Sequence, residues 1–179
     1  MDKQNLAKEI CSMSKLTGQY RLKTGGLAET YIDHYMFQSD PKLLKRAAGY
    51  LEPLIPPGVD VLAGIAVRGI PIATALSLQS QIPAAFVRKH AEPYGTCRQA
   101  EGMRIEGKRV SLITDLVDET DELIQRASEL RQGGADVKDV IAVIAWNPAA
   151  AEELKREGLQ LHALYEKDEL LNVPKQIED

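Results

Sequence analysis

The chain has 179 residues, 44% of them hydrophobic and 27% charged, with a formal net charge of -4. That length supports a real core within one domain, and the acidic balance argues against a general nucleic-acid binder. No apolar run approaches the roughly 18 residues needed to cross a bilayer, and the opening "MDKQNLAKEICSMSK" lacks the apolar stretch of a secretory signal.

In chain order, Cys11 and Cys97 stand far apart in no metal-binding spacing, so both read as free thiols of a reducing, cytoplasmic compartment. "PKLLKRAAGYLEPL" begins with Pro41 after Asp40, a cap followed by a first-turn proline, and predicts a helix whose basic run is a solvated face. "VDVLAGIAV" (Val59 to Val67) predicts a strand, and "IPIATALSLQ" predicts a helix after a glycine turn. "AAFVRK" (Ala84 to Lys89) is a second strand. From His90 to Lys108 no strong period is visible, and loops this long in compact domains are often functional or mobile. "RVSLITDLV" (Arg109 to Val117) is a third strand, followed by the helix "DELIQRASELRQGG", stopped by Gly133 and Gly134. "DVIAVIAW" (Asp139 to Trp146) is a fourth. "NPAAAEELKREG" predicts a helix with Asn147 as cap, Pro148 at the first position and Gly158 as terminator. "LQLHALY" (Leu159 to Tyr165) closes the series.

These strands are nearly continuous in apolar residues, as in sheets covered on both faces. Their alternation with helices predicts an α/β fold built on a mainly parallel sheet. Ligands of such sheets sit beyond the carboxyl ends of the strands, which directs attention to "AVRGIP", "RKHAEPYG" and "TDLVDETDE".

Several segments together resemble one family. "YRLKTGGLAETYIDHYMFQSDPKLL" is similar to the N-terminal block of the orotate phosphoribosyltransferases, and "LAGIAVRGIPIATALS" to their pyrophosphate loop and following helix. "IPAAFVRKHAEPYG" resembles the strand entering their mobile catalytic loop, and "VSLITDLVDETDELIQRASELRQGGADV" their strand–loop–helix for phosphoribosyl pyrophosphate (PRPP). "GLQLHALYEKDELL" resembles their C-terminal end. The resemblance implies one phosphoribosyltransferase-type domain over 1–179: an N-terminal helix and small hood over 1–40, and an α/β core with helices on both faces over 41–179. It also implies a cytoplasmic homodimer whose mobile loop reaches the neighbouring site, a role in pyrimidine biosynthesis, and a nucleotide-like ligand. The family reaction transfers 5-phosphoribosyl from PRPP to orotate with Mg²⁺, giving orotidine 5'-phosphate and pyrophosphate. Positioning and charge stabilisation carry most of such a barrier.

By resemblance, Lys23, Arg68 and Gly69 contact substrate, and Arg88 and Lys89 are the cations entering the mobile loop. Several departures fall on the chemistry. Glu92 stands where the family has a lysine, and Tyr94 where it has a histidine. Trp146 stands in place of the arginine that clamps the orotate carboxylate, and an indole offers one donor and no charge. In the PRPP motif the first acid is Thr114, while the second survives as Asp115. The phosphate turn reads Asp118, Glu119, Thr120, Asp121, Glu122, without the glycines that let a backbone nest close on phosphate. A like-charge pair at about 5 Å and an effective dielectric near 20 costs roughly 3 kcal/mol. Acids are, however, favoured at helix N-termini. The expectation is that the protein's own side chains occupy the family's anion site. Alternatives are a divalent ion on the carboxylates, a cationic or unphosphorylated ligand, a transferase for a different base, and a regulatory or partner-binding homologue.

Overall fold

The structure, a computed structural model, describes residues 3–21, 25–91, 94–95 and 98–171. Helix α1 (Lys3–Ser14) leads into a hairpin of β1 (Lys15–Arg21) and β2 (Leu27–Ile32), which pair antiparallel as a separate two-stranded sheet. This hairpin and the short α2 (His34–Ser39) form the hood that the resemblance implies. Asp33 turns the chain into α2 by accepting from the Tyr35 amide at 2.9 Å.

Helix α3 (Pro41–Leu51) starts where the cap-and-proline signal places it. One carboxylate oxygen of Asp40 accepts from the amides of Lys42 and Leu43, at 2.8 and 2.9 Å, satisfying two donors that no helical carbonyl reaches. The core then alternates β3 (Val61–Ile65), α4 (Gly69–Ser80), β4 (Ala84–Val87), β5 (Ala100–Gly102), β6 (Arg109–Val117), α5 (Asp121–Gln132), β7 (Asp136–Ala145), α6 (Ala150–Arg156), β8 (Gln160–Glu166) and α7 (Lys167–Leu171). The sheet runs β5-β4-β3-β6-β7-β8, parallel throughout except for β5 against β4.

One face of this sheet is covered by α1, α3 and α4, through Leu6, Leu43, Leu51, Ile72 and Leu76 against Ile113 and Ile141. On the other face Leu123, Ala127 and Leu130 of α5, with Leu154 of α6, pack on Val110, Leu112 and Val140. Burial on both sides explains why the central strands carry no polar alternation. Chain order reverses between β3 and β6. At that switch point neighbouring loops leave in opposite directions, and a crevice opens.

Three local readings need correction. Strand β7 begins three residues earlier than its apolar run, because Asp136 and the buried Val137 already pair with Arg109 and Val110 of β6, ahead of a register shift at the exposed Lys138. The apparently structureless stretch from His90 to Lys108 contains β5, a short antiparallel strand on the sheet edge. Helix α6 begins at Ala150, not at Pro148. The Asn147 side chain accepts from the Ala149 amide at 2.9 Å, forming a turn before the helix instead of its cap.

Candidate functional site

The end of β3 turns into α4 through Ala66, Val67 and Arg68. Gly69 then brings the helix start hard against β6. A Cβ on Gly69 would meet the Ile113 carbonyl oxygen at 2.2 Å, so only glycine fits.

Between this loop, the end of β6 and the hood lies a cavity of about 350 Å³. Arg68 forms one wall, with Tyr31 and His34 from the hood above it. Thr114 and the acidic turn form the other, and Ile65, Leu116 and Leu123 supply apolar surface. Of the acids, Asp118, Glu119 and Glu122 face this space.

The predicted N-terminal capping of α5 is also different in detail. Thr120 is the residue at the cap, and its hydroxyl donates instead to Glu153 at 2.7 Å. Asp121 and Glu122 occupy the first turn, where carboxylates complement the helix dipole. Asp121 and Thr120 face an outer groove of about 470 Å³ that shares Asp118 and Glu119 with the cavity.

Asp115, the surviving acid of the motif, is fully buried beneath the wall. Its carboxylate accepts from the Gln38 amide nitrogen at 2.9 Å and from the Leu116 amide at 2.7 Å, with Arg68 Nε at 3.7 Å. It ties hood to core and does not line the cavity. His34 sits beside this knot. Burial pushes its imidazole below the ordinary 6.5, against an upward pull from Asp115, so the ring is neutral at pH 7. Its Nδ1 is buried without a hydrogen-bond partner among the described residues.

The remaining predicted positions lie elsewhere. Arg88 pairs with Glu101 at 3.5 Å, Lys89 is exposed, and neither belongs to the cavity wall. Tyr94 is 70% exposed and also outside it. Trp146 packs against the core with Lys167 4.8 Å over its ring, away from the wall. Its amide and that of Asn147 both donate to the Val117 carbonyl, at 2.8 and 3.1 Å. Lys23 and Glu92 lie outside the described residues. Sequence reasoning missed His34, Gln38 and Tyr31. The available signal was their place just before and after Asp33, where the hood strand gives way to a capped helix.

No family model matches the chain. An orotate phosphoribosyltransferase from a Nocardioides species is 40% identical over 165 residues, spanning 92% of each chain. The solved orotate phosphoribosyltransferase of Mycobacterium tuberculosis, in complex with Fe(III) dicitrate, has a TM-score of 0.83 at 24% identity, covering 95% of this chain and 99% of that one. The same enzyme in complex with PRPP has a TM-score of 0.80 at 21% identity, covering 95% and 99%. Sequence similarity over nearly the whole length, on a shared fold, establishes that this chain belongs to the orotate phosphoribosyltransferase family.

Proposed function

We propose that this chain is a non-catalytic, ligand-binding member of its family, one that no longer transfers phosphoribosyl from PRPP to orotate and whose cavity takes a ligand bearing positive charge. The observation that carries this reading is the placement of Asp118, Glu119 and Glu122 on the cavity wall. A phosphate at a helix N-terminus needs open backbone N–H groups and no competing anion. Here the first turn already carries two carboxylates, and the turn before it has no glycine. Each carboxylate repels a phosphate charge by about 1 kcal/mol in bulk water and about 3 kcal/mol in a partly shielded site. Arg68, the only cation of the wall among the described residues, is partly neutralised by Asp115.

Magnesium, which the family reaction uses, is held largely by substrate phosphates and water, so it would enter only with PRPP. Among the described residues no three His, Cys, Asp or Glu side chains converge enough to hold an ion. Arg88 and Lys89 lie off the wall of their own chain, as expected if, in a homodimer, they serve the partner's cavity instead. Glu92 and Tyr94, which follow Arg88 and Lys89 in the chain, and Lys23, between β1 and β2, are proposed to face the ligand, and Trp146 to fill the space of the base clamp by packing.

Calorimetric titration of Mg²⁺–PRPP into the purified protein tests the reading, with a diamine such as putrescine as the cationic probe. Silence with PRPP to millimolar concentration and heat with the diamine are expected. Micromolar PRPP binding overturns the reading. A transferase is the second reading, favoured by the 40% identical relative named orotate phosphoribosyltransferase. Orotidine 5'-phosphate formed from orotate and PRPP would establish it, and product from another base alone would establish a changed acceptor.

A further inference from the structure

Arg126 lies in the second turn of α5 and is 3% exposed. Burying a guanidinium is costly unless its donors are used, and on this face Leu123, Ala127 and Leu130 already show that apolar side chains pack well. Its Nη1 nitrogen donates to the Lys89 carbonyl at 2.5 Å, lies 3.3 Å from the Arg88 carbonyl, and pairs with Glu129 at 2.8 Å. Those carbonyls lie just past the last residue of β4, where the sheet ladder stops supplying partners. Gln99 adds a second hold: its amide donates to the Arg88 carbonyl at 2.5 Å, and its own carbonyl accepts from the Arg88 amide at 2.9 Å. A leucine at position 126 would bury as well but could hold neither carbonyl.

We infer that Arg126 is a positioning residue that fixes the backbone of Arg88 and Lys89 relative to the acidic turn. Helix α5 carries both ends of that relation. Its first turn presents Glu122 to the cavity, and one turn later Arg126 holds the cationic pair. The helix thereby sets the spacing between the anionic wall and the two cations as one rigid unit. The inference concerns the backbone of the pair and is independent of which ligand the cavity takes, so its test can fail while the ligand reading stands.

Limited trypsin digestion read by mass spectrometry supplies that test, because trypsin cuts after Arg88 and Lys89 only when this backbone leaves its hydrogen bonds. In Arg126→Met, cleavage at these two bonds is expected to rise at least tenfold, while cleavage at Lys45 and Lys155, on α3 and α6, stays at the wild-type rate. Equal rates at Arg88 and Lys89 in variant and wild type overturn the proposal. A parallel rise at all four sites also overturns it, since that is loss of global stability. Should Arg126→Met not fold, Arg126→Lys decides: it keeps the charge and the Glu129 pair but is too short to hold both carbonyls. A local rise of at least threefold supports positioning, and none overturns it.

Discussion

The two ends of the parallel sheet treat charge in opposite ways. At the amino-terminal end of β7, Asp139 is 4% exposed, yet its two oxygens are taken by Arg109 at 3.1 Å and His162 at 3.0 Å. Nearby, Asp60 accepts from the Arg109 amide at 2.9 Å, and Arg109 also donates to the Pro57 carbonyl at 2.7 Å. At the carboxyl end of β6, Asp118 and Glu122 face a cavity, with the His34 ring near enough to feel the charge of Asp118. A carboxylate that the fold has paired reports on the fold. One left facing a cavity is open to whatever enters.

That contrast is sharpest in stability. Asp139→Ala leaves a half-buried guanidinium and an imidazole without their acceptor, and an expected loss of about 3 kcal/mol should appear as a lower urea midpoint. The cavity end should answer in binding. Neutralising Asp118, Glu119 and Glu122 together as Asn, Gln and Gln removes about 1 kcal/mol of repulsion per charge, roughly a hundredfold gain in affinity for PRPP or inorganic phosphate at low salt. Calorimetry on the triple variant checks this, and an unchanged affinity would mean that lost backbone donors, not charge, close the site.

A smaller effect is expected from His34, which belongs to the cavity but behaves as a buried group. Its folded pKa is lowered chiefly by burial, so in the window below the ordinary 6.5 the unfolded chain binds a proton that the folded chain does not. Stability from this group is therefore complete above that value and falls as the pH drops through it. Denaturation midpoints from pH 8 to pH 5 should decline for the wild type and decline less for His34→Asn. The smallest effect is Asp118→Asn alone, expected to change stability by no more than about 0.5 kcal/mol. A larger loss would mean that Asp118 is structural and that the two ends differ less than their geometry implies.

Much of the architecture was legible because periodicity and punctuation agree with burial. Strand β6 matches its apolar run residue for residue, and the Asp40–Pro41 and Gly133–Gly134 signals mark real helix ends. The failures share a cause. Strand β5 has three residues and no periodicity of its own; it exists because the edge of β4 offers it hydrogen bonds. Asn147 and Pro148 make a convincing helix start in isolation, yet the backbone there is committed to the Val117 carbonyl on a neighbouring strand. The acidic turn was found because it lies in one contiguous stretch. The tie from Asp115 to the hood was not legible, because its partner Gln38 lies 77 residues away in the chain. Local sequence announces which chemistry is present, but the direction a side chain faces is decided by long-range contacts.

Strand β5 has one more consequence. A parallel sheet that stopped at β4 would end in an open row of N–H and C=O groups, a template on which a second molecule could add a strand. The reversed strand covers that row, and Gly102, with φ of +88°, turns the chain away after only three residues. What remains exposed on this side is too short to seed further pairing. The same three residues that were hardest to read therefore guard the protein against intermolecular sheet growth when it is concentrated.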